Sequence, residues 1–178
     1  MGSSSWTYFT PYQEDIEQAL QDLRRKLFEA GDYDRFWLYL EVPEEAFDAL
    51  DEISWTGTDQ QLVEELAQVL AEKQIHVAIP KPPQTIKEAE ERSDAQGTKS
   101  ILDIERISSQ PEMGVATALP HNVYVQFFGT EKPTREMIER AVKTKGLLDD
   151  VERWQAIYVI AFKNDRPDEI FFGGWSGD

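Results

Sequence analysis

The segment from Gln155 to Trp175 constrains the fold more than any other part of the chain. Two apolar runs, residues 155–163 (QAIYVIAFK) and 169–175 (EIFFGGW), flank Asn-Asp-Arg-Pro-Asp, a stretch rich in turn formers. Strands joined so briefly pair antiparallel, because a parallel pair needs a crossover of about a dozen residues or more. Ile157, Val159 and Ala161 alternate with Tyr158, Ile160 and Phe162, so the first run is apolar on both faces. Such a strand needs cover on both sides. The hairpin is therefore expected at the centre of a sheet, with helices packed over it. Gly173, Gly174 and Gly177 around Trp175 either admit a ligand close to the backbone or simply end a strand.

The remaining elements follow from periodicity. Ile16, Ala19, Leu20, Leu23, Leu27 and Phe28 recur at steps of three and four before Gly31, which marks a helix and its left-handed stop. Leu62, Val63, Leu66, Ala67 and Leu70 form a second stripe after a Thr58 or Asp59 cap. A short helix is expected from Glu44 to about Ile53, with Phe47 and Leu50 inward. A polar helix follows Thr85 and its capping partner Glu88. Another carries Ile138, Ala141 and Val142 after Thr134, followed by a helical turn at Leu147, Leu148 and Val151. Strands are read at residues 6–10, 75–79, 100–107 and 123–128, and at 36–42, where helix is the alternative. Residues 1–5 read as a flexible leader, 80–84 as a Pro-rich turn and 108–114 as a loop. The 178 residues suit one domain. Without a regular βαβ alternation, the expected class is α+β: one domain over residues 1–178, a largely antiparallel sheet and several packed helices.

Charge narrows the function. Thirty-four acidic residues against 18 basic ones give a formal net charge of −16, which argues against a basic surface for nucleic acid or an anionic membrane. No run approaches the length of a membrane span and the N-terminus lacks the pattern of a secretory signal, so a cytoplasmic protein is expected. There is no Cys, hence no thiol nucleophile or disulfide framework, and the two His, His76 and His121, lie far apart. Zinc-protease, EF-hand, phosphate-loop and nucleophile-elbow motifs are all missing; Asp32 with Asp34, and Asp149 with Asp150, are bare carboxylate pairs. Ser100, Asp103 and His121 are the right types for a triad but no motif supports them. Asp103 and Glu105 fall on one face of the expected strand and read as a wet face. No catalytic residue, cofactor or metal site is expected.

The acidic residues are segregated. Residues 36–72 hold ten of them and neither Lys nor Arg. Like charges at helical spacing repel by a few tenths of a kcal/mol per pair. A cationic partner would relieve that repulsion, and aromatic residues beside the block would supply affinity. The candidate partner-binding residues are Trp37, Glu41, Glu44, Glu45, Asp48, Asp51, Glu52 and Trp55; the alternative is a solvated, solubilising face. The favoured function is a non-enzymatic interaction module with an acidic surface for a basic protein, by analogy with immunity proteins, antitoxins and nucleic-acid mimics. Small-molecule binding or a carboxylate-dependent enzyme is the alternative. The oligomeric state stays open.

Four stretches, TPYQEDIEQALQDLRRKLFEAGDY, GTKSILDIERI, FFGTEKPTREMIE and IYVIAFKNDRPDEIFFGGWS, resemble a family of short uncharacterised bacterial proteins. The resemblance covers most of the chain apart from residues 32–83. It implies a bacterial single-domain protein and carries over no activity and no site residue.

Overall fold

In the computed structural model, which describes residues 4–177, Asn164 and Asp165 close the C-terminal hairpin, both at positive φ (51° and 61°). Two consecutive left-handed residues match the right-handed twist of the flanking strands. The turn is tighter than the five-residue connection read from sequence, since Arg166, Pro167 and Asp168 already belong to the second strand. That strand tolerates Pro167 because a bulge lies there: Ala161 faces Glu169, Phe162 faces Pro167, and Asp168 is skipped. The Phe162 amide turns instead to the carbonyl of Pro133, and the Tyr12 amide to that of Asp168.

Five strands are described: β1 (Ser5–Pro11), β2 (Arg106–Ser108), β3 (Val115–Ala118), β4 (Gln155–Lys163) and β5 (Arg166–Trp175). They form one mixed sheet in the order β1-β5-β4-β3-β2. The long pairs β1–β5 and β5–β4 are antiparallel, and the short pairs β4–β3 and β3–β2 are parallel. The hairpin thus lies inside the sheet, and Phe171 is buried. Seven α-helices accompany it: α1 (Ile16–Ala30), α2 (Phe36–Glu41), α3 (Phe47–Leu50), α4 (Asp59–Glu72), α5 (Ile86–Ser93), α6 (His121–Phe128) and α7 (Arg135–Lys145). The result is a single α+β domain.

Cover on both sides comes from different helices. Ala19, Leu20, Leu23 and Leu27 of α1 pack on Trp6, Ala116, Ala156, Ile170 and Phe172. Asp15 caps α1 by accepting from the Gln18 amide, and Gly31 ends it at φ 66°. On the opposite face, Phe128 of α6 and Ile138 and Ala141 of α7 cover Ile157, Val159, Ala161 and Phe171. The glycine cluster is explained by packing: a Cβ at Gly174 would lie 2.7 Å from the Trp6 ring and 2.4 Å from the Gln155 carbonyl. A third core is all helical. Trp37, Leu38, Leu50, Leu62, Leu66 and Leu70 of α2, α3 and α4 pack on one another, apart from the sheet. α5 stands between this excursion and α1.

Several sequence expectations change. Residues 123–128 lie in α6, because they belong to the crossover between parallel β3 and β4, which a strand could not complete. Residues 36–42 are mainly helix α2, burying the adjacent Trp37 and Leu38 and leaving Tyr39 and Leu40 outside. Residues 75–79 form no strand. Within 100–107, the Ser100 hydroxyl accepts from the Leu102 amide and folds Ile101–Asp103 into a 3₁₀ turn, leaving only the short β2. β3 had no counterpart in the sequence reading. Of the expected leader, residues 1–3 lie outside the described residues; the Ser4 carbonyl accepts from the Ser176 amide and Ser5 begins β1. No helix among the described residues is long and apolar enough to cross a membrane.

Candidate functional site

The helical excursion carries the acidic segment, and a buried ionic node sets its shape. Arg35 Nε donates to Asp59 Oδ1 at 2.6 Å, and the Tyr33 hydroxyl donates to the other carboxylate oxygen. The remaining Arg35 nitrogens reach the carbonyls of Gly31, Trp55 and Gly57. Burial, and then the neighbouring Asp59 carboxylate, push the Tyr33 hydroxyl far up from its ordinary value. One of the ten acids is thereby withdrawn from the surface. The same node holds the Trp55 backbone at φ 54°, a left-handed conformation uncommon for a bulky residue. Trp55 Nε1 donates to the Leu50 carbonyl at 2.9 Å, and its ring stacks on Tyr39 at 5.1 Å with 4° between planes.

The fold also brings bases to a segment that has none of its own. Lys73, just past α4, meets Glu52 at 2.6 Å; Glu52 chiefly, and Asp48 less, raise its pKa. Arg92 of α5 pairs with Glu41 through two nitrogens. Its guanidinium also lies 4.3 Å from the centre of the Trp37 ring. Trp37 is completely buried, so this candidate belongs to the core and is out of a partner's reach. Glu41 and Glu52 stay at the surface with counter-ions.

Glu44, Glu45, Asp48 and Asp51 differ. All four are exposed, and none forms a salt bridge or side-chain hydrogen bond with the described residues. Tyr39, Leu40 and Phe47, on the same excursion, are exposed by 36%, 51% and 43%. Phe47, expected inward, is therefore partly exposed, while its neighbours Ala46, Ala49 and Leu50 fill the core. Burial, then Asp51 and Asp34, raise the Tyr39 hydroxyl. Tyr39 and Leu40 were missed as candidates. Reading residues 36–42 as a helix would have found them, since a helix that buries Trp37 and Leu38 turns the next two residues outward.

The other candidates do not assemble into a catalytic centre. The side chains of Ser100 and Asp103 are linked through Thr98, whose Oγ1 lies 2.9 Å from Ser100 Oγ and 2.7 Å from Asp103 Oδ1, and the Asp103 amide donates to the Ser100 carbonyl at 3.3 Å. Asp103 also accepts from the Thr98 amide and the Ser176 hydroxyl, each at 2.7 Å. Thr98, Ser100 and Ser176 are fully buried. Burial raises the Asp103 carboxyl above its ordinary range despite these hydrogen bonds. His121 is exposed elsewhere, with Nε2 at 3.1 Å from Glu131. Asp103 is buried and Glu105 exposed, so the expected wet face is not formed. No group of three or more potential metal ligands occurs among the described residues.

Comparison with protein-family models, with curated proteins and with solved structures returns no match.

Proposed function

We propose that the protein is a non-enzymatic cytoplasmic interaction module whose helical excursion receives a basic protein. The observation that carries this reading is the coexistence of four unpaired carboxylates, Glu44, Glu45, Asp48 and Asp51, with the exposed apolar side chains of Tyr39, Leu40 and Phe47. Carboxylates steer a cationic surface by complementary potential, and the apolar side chains supply the burial that holds it. An immunity-protein, antitoxin or nucleic-acid-mimic role has this chemistry. The negative charge supports a partner other than nucleic acid or an anionic membrane.

Capture from a bacterial lysate at low salt, followed by binding kinetics on the purified partner, tests the reading. The combined substitution Glu44→Lys, Glu45→Lys and Asp48→Lys should slow association at least about tenfold at low salt. Phe47→Ser should chiefly speed dissociation. Folding of both variants is checked by circular dichroism. Binding of the captured protein that is indifferent to both substitutions would show the acidic segment to be a solvated face.

A further inference from the structure

We propose that a cavity beside β3 binds a small organic cation: an amine carried on a compact apolar body about the size of one aromatic ring. Where β3 ends, the chain passes through Leu119 and Pro120 into α6, and a cavity of about 250 Å³ remains over the paired residues Thr117 and Ile157. Leu119 and Ile157 line it from the sheet side, Val123 and Phe127 from α6, and Leu147 and Val151 from the turn after α7. Pro111, in the short connection between β2 and β3, also lines it.

The chemistry of this lining selects a ligand. Asp150 is the one charged residue among the described residues that line the cavity, and it is exposed. It forms no salt bridge or side-chain hydrogen bond with the described residues. An apolar cavity of about 150 Å³ already accepts benzene, so the volume here holds a ring with a short arm. It falls just below the usual range of about 300–1,000 Å³ for small-ligand sites, which favours a compact body. Besides Asp150 the lining holds only Thr117 and Gln155 as polar side chains, both uncharged, while the carboxylate offers an ion pair to a cation whose body is buried. An anionic head group would face Asp150 with no base in the lining to offset it.

The test must separate this site from general attraction of cations to a chain of net charge −16. Phenethylammonium and its neutral counterpart 2-phenylethanol are titrated into the ¹⁵N-labelled protein, and amide shifts are followed. Saturable shifts with phenethylammonium at Thr117, Leu119, Val151 and Ile157 are expected. Asp150→Asn, an exposed substitution, should weaken phenethylammonium about fivefold, consistent with a solvent-screened ion pair, and leave 2-phenylethanol unchanged. Filling the cavity with Val123→Trp should abolish both responses. No saturable shift up to about 10 mM, shifts confined to residues 41–52, or an Asp150→Asn variant that binds the amine as well as the parent would each overturn the proposal.

Discussion

Replacing Asp103 by Ala tests whether this buried carboxylate is a structural staple. The substitution removes the acceptor for the Thr98 amide, the Thr98 hydroxyl and the Ser176 hydroxyl, each now 2.7 Å from it. The Thr98 hydroxyl can turn to Ser100 Oγ, already 2.9 Å away. The Thr98 amide and the Ser176 hydroxyl are left without that acceptor, both on residues with no exposed surface. An orphaned buried donor costs about 1–3 kcal/mol, so the pair costs about 2–6 kcal/mol. Part of this is offset because the carboxylate no longer pays for its own desolvation, which is large enough to raise its pKa. The expected net loss is about 2–4 kcal/mol. Asp103→Asn keeps an acceptor toward Thr98, and its amide can donate to Ser176 Oγ, so it should lose less than about 1 kcal/mol. Urea denaturation reads both. With a slope of about 2 kcal/mol per molar, the Ala variant should unfold about 1–2 M earlier than the parent. Equal destabilisation by Ala and Asn, or an Ala variant within about 0.5 kcal/mol of the parent, would refute the hydrogen-bond reasoning.

Two further outcomes follow from the same geometry. Asp165→Gly should stabilise the protein by about 1 kcal/mol or less, since relief of the left-handed backbone, about 1–2 kcal/mol, is partly offset by glycine's greater loss of chain freedom and by the lost exposed 3.1 Å contact with Lys132; a thermal midpoint that falls would contradict this. Burial raises both Asp103 and Glu90, so the native state keeps their protons to higher pH than the unfolded chain does. Their contribution is fully present below the ordinary carboxylate range and is lost as pH rises through the raised values. Asp103→Asn with Glu90→Gln should flatten that part of the stability curve, and a slope equal to the parent's would sink the assignment.

The hairpin and the stripes of α1 and α4 were legible because each is a local pattern whose buried face is set by period alone. Residues 123–128 were not, because VYVQFF has strand composition and becomes helical only through its place in the crossover between β3 and β4. β3 itself is four residues long and mostly Ala and Val, too short for alternation to show. At the candidate site, exposure of Glu44, Glu45, Asp48 and Asp51 was legible from charge. The counter-ions of Glu41, Glu52 and Asp59 were harder to place: Arg35 and Lys73 flank the segment but reach acids far along the chain, and Arg92 lies on another helix. Trp37 was misplaced for a related reason: a Trp beside acidic residues looks the same in sequence whether it faces solvent or lies under an arginine.

The distribution of those counter-ions shapes the surface that remains. Arg35, Lys73 and Arg92 approach from the margins of the segment and pair with Asp59, Glu52 and Glu41. Glu64, Glu65 and Glu72 accept hydrogen bonds from Gln60, Ser54 and Gln68, and the four carboxylates with neither a salt bridge nor a side-chain hydrogen bond to the described residues, Glu44, Glu45, Asp48 and Asp51, fall around Phe47 in sequence. At physiological salt their field fades over about 8 Å, so on the proposed reading it would act on the last stage of a partner's approach; exposed ion pairs formed at contact add only about 0–1 kcal/mol each. On that reading most of the affinity would come from apolar burial, and Tyr39, Leu40 and Phe47 are exposed side chains on this excursion that could supply it. Charge and apolar contact therefore sit on different residues of one short segment. Substituting the carboxylates should change chiefly the association rate and its salt dependence, and substituting Phe47 chiefly the dissociation rate.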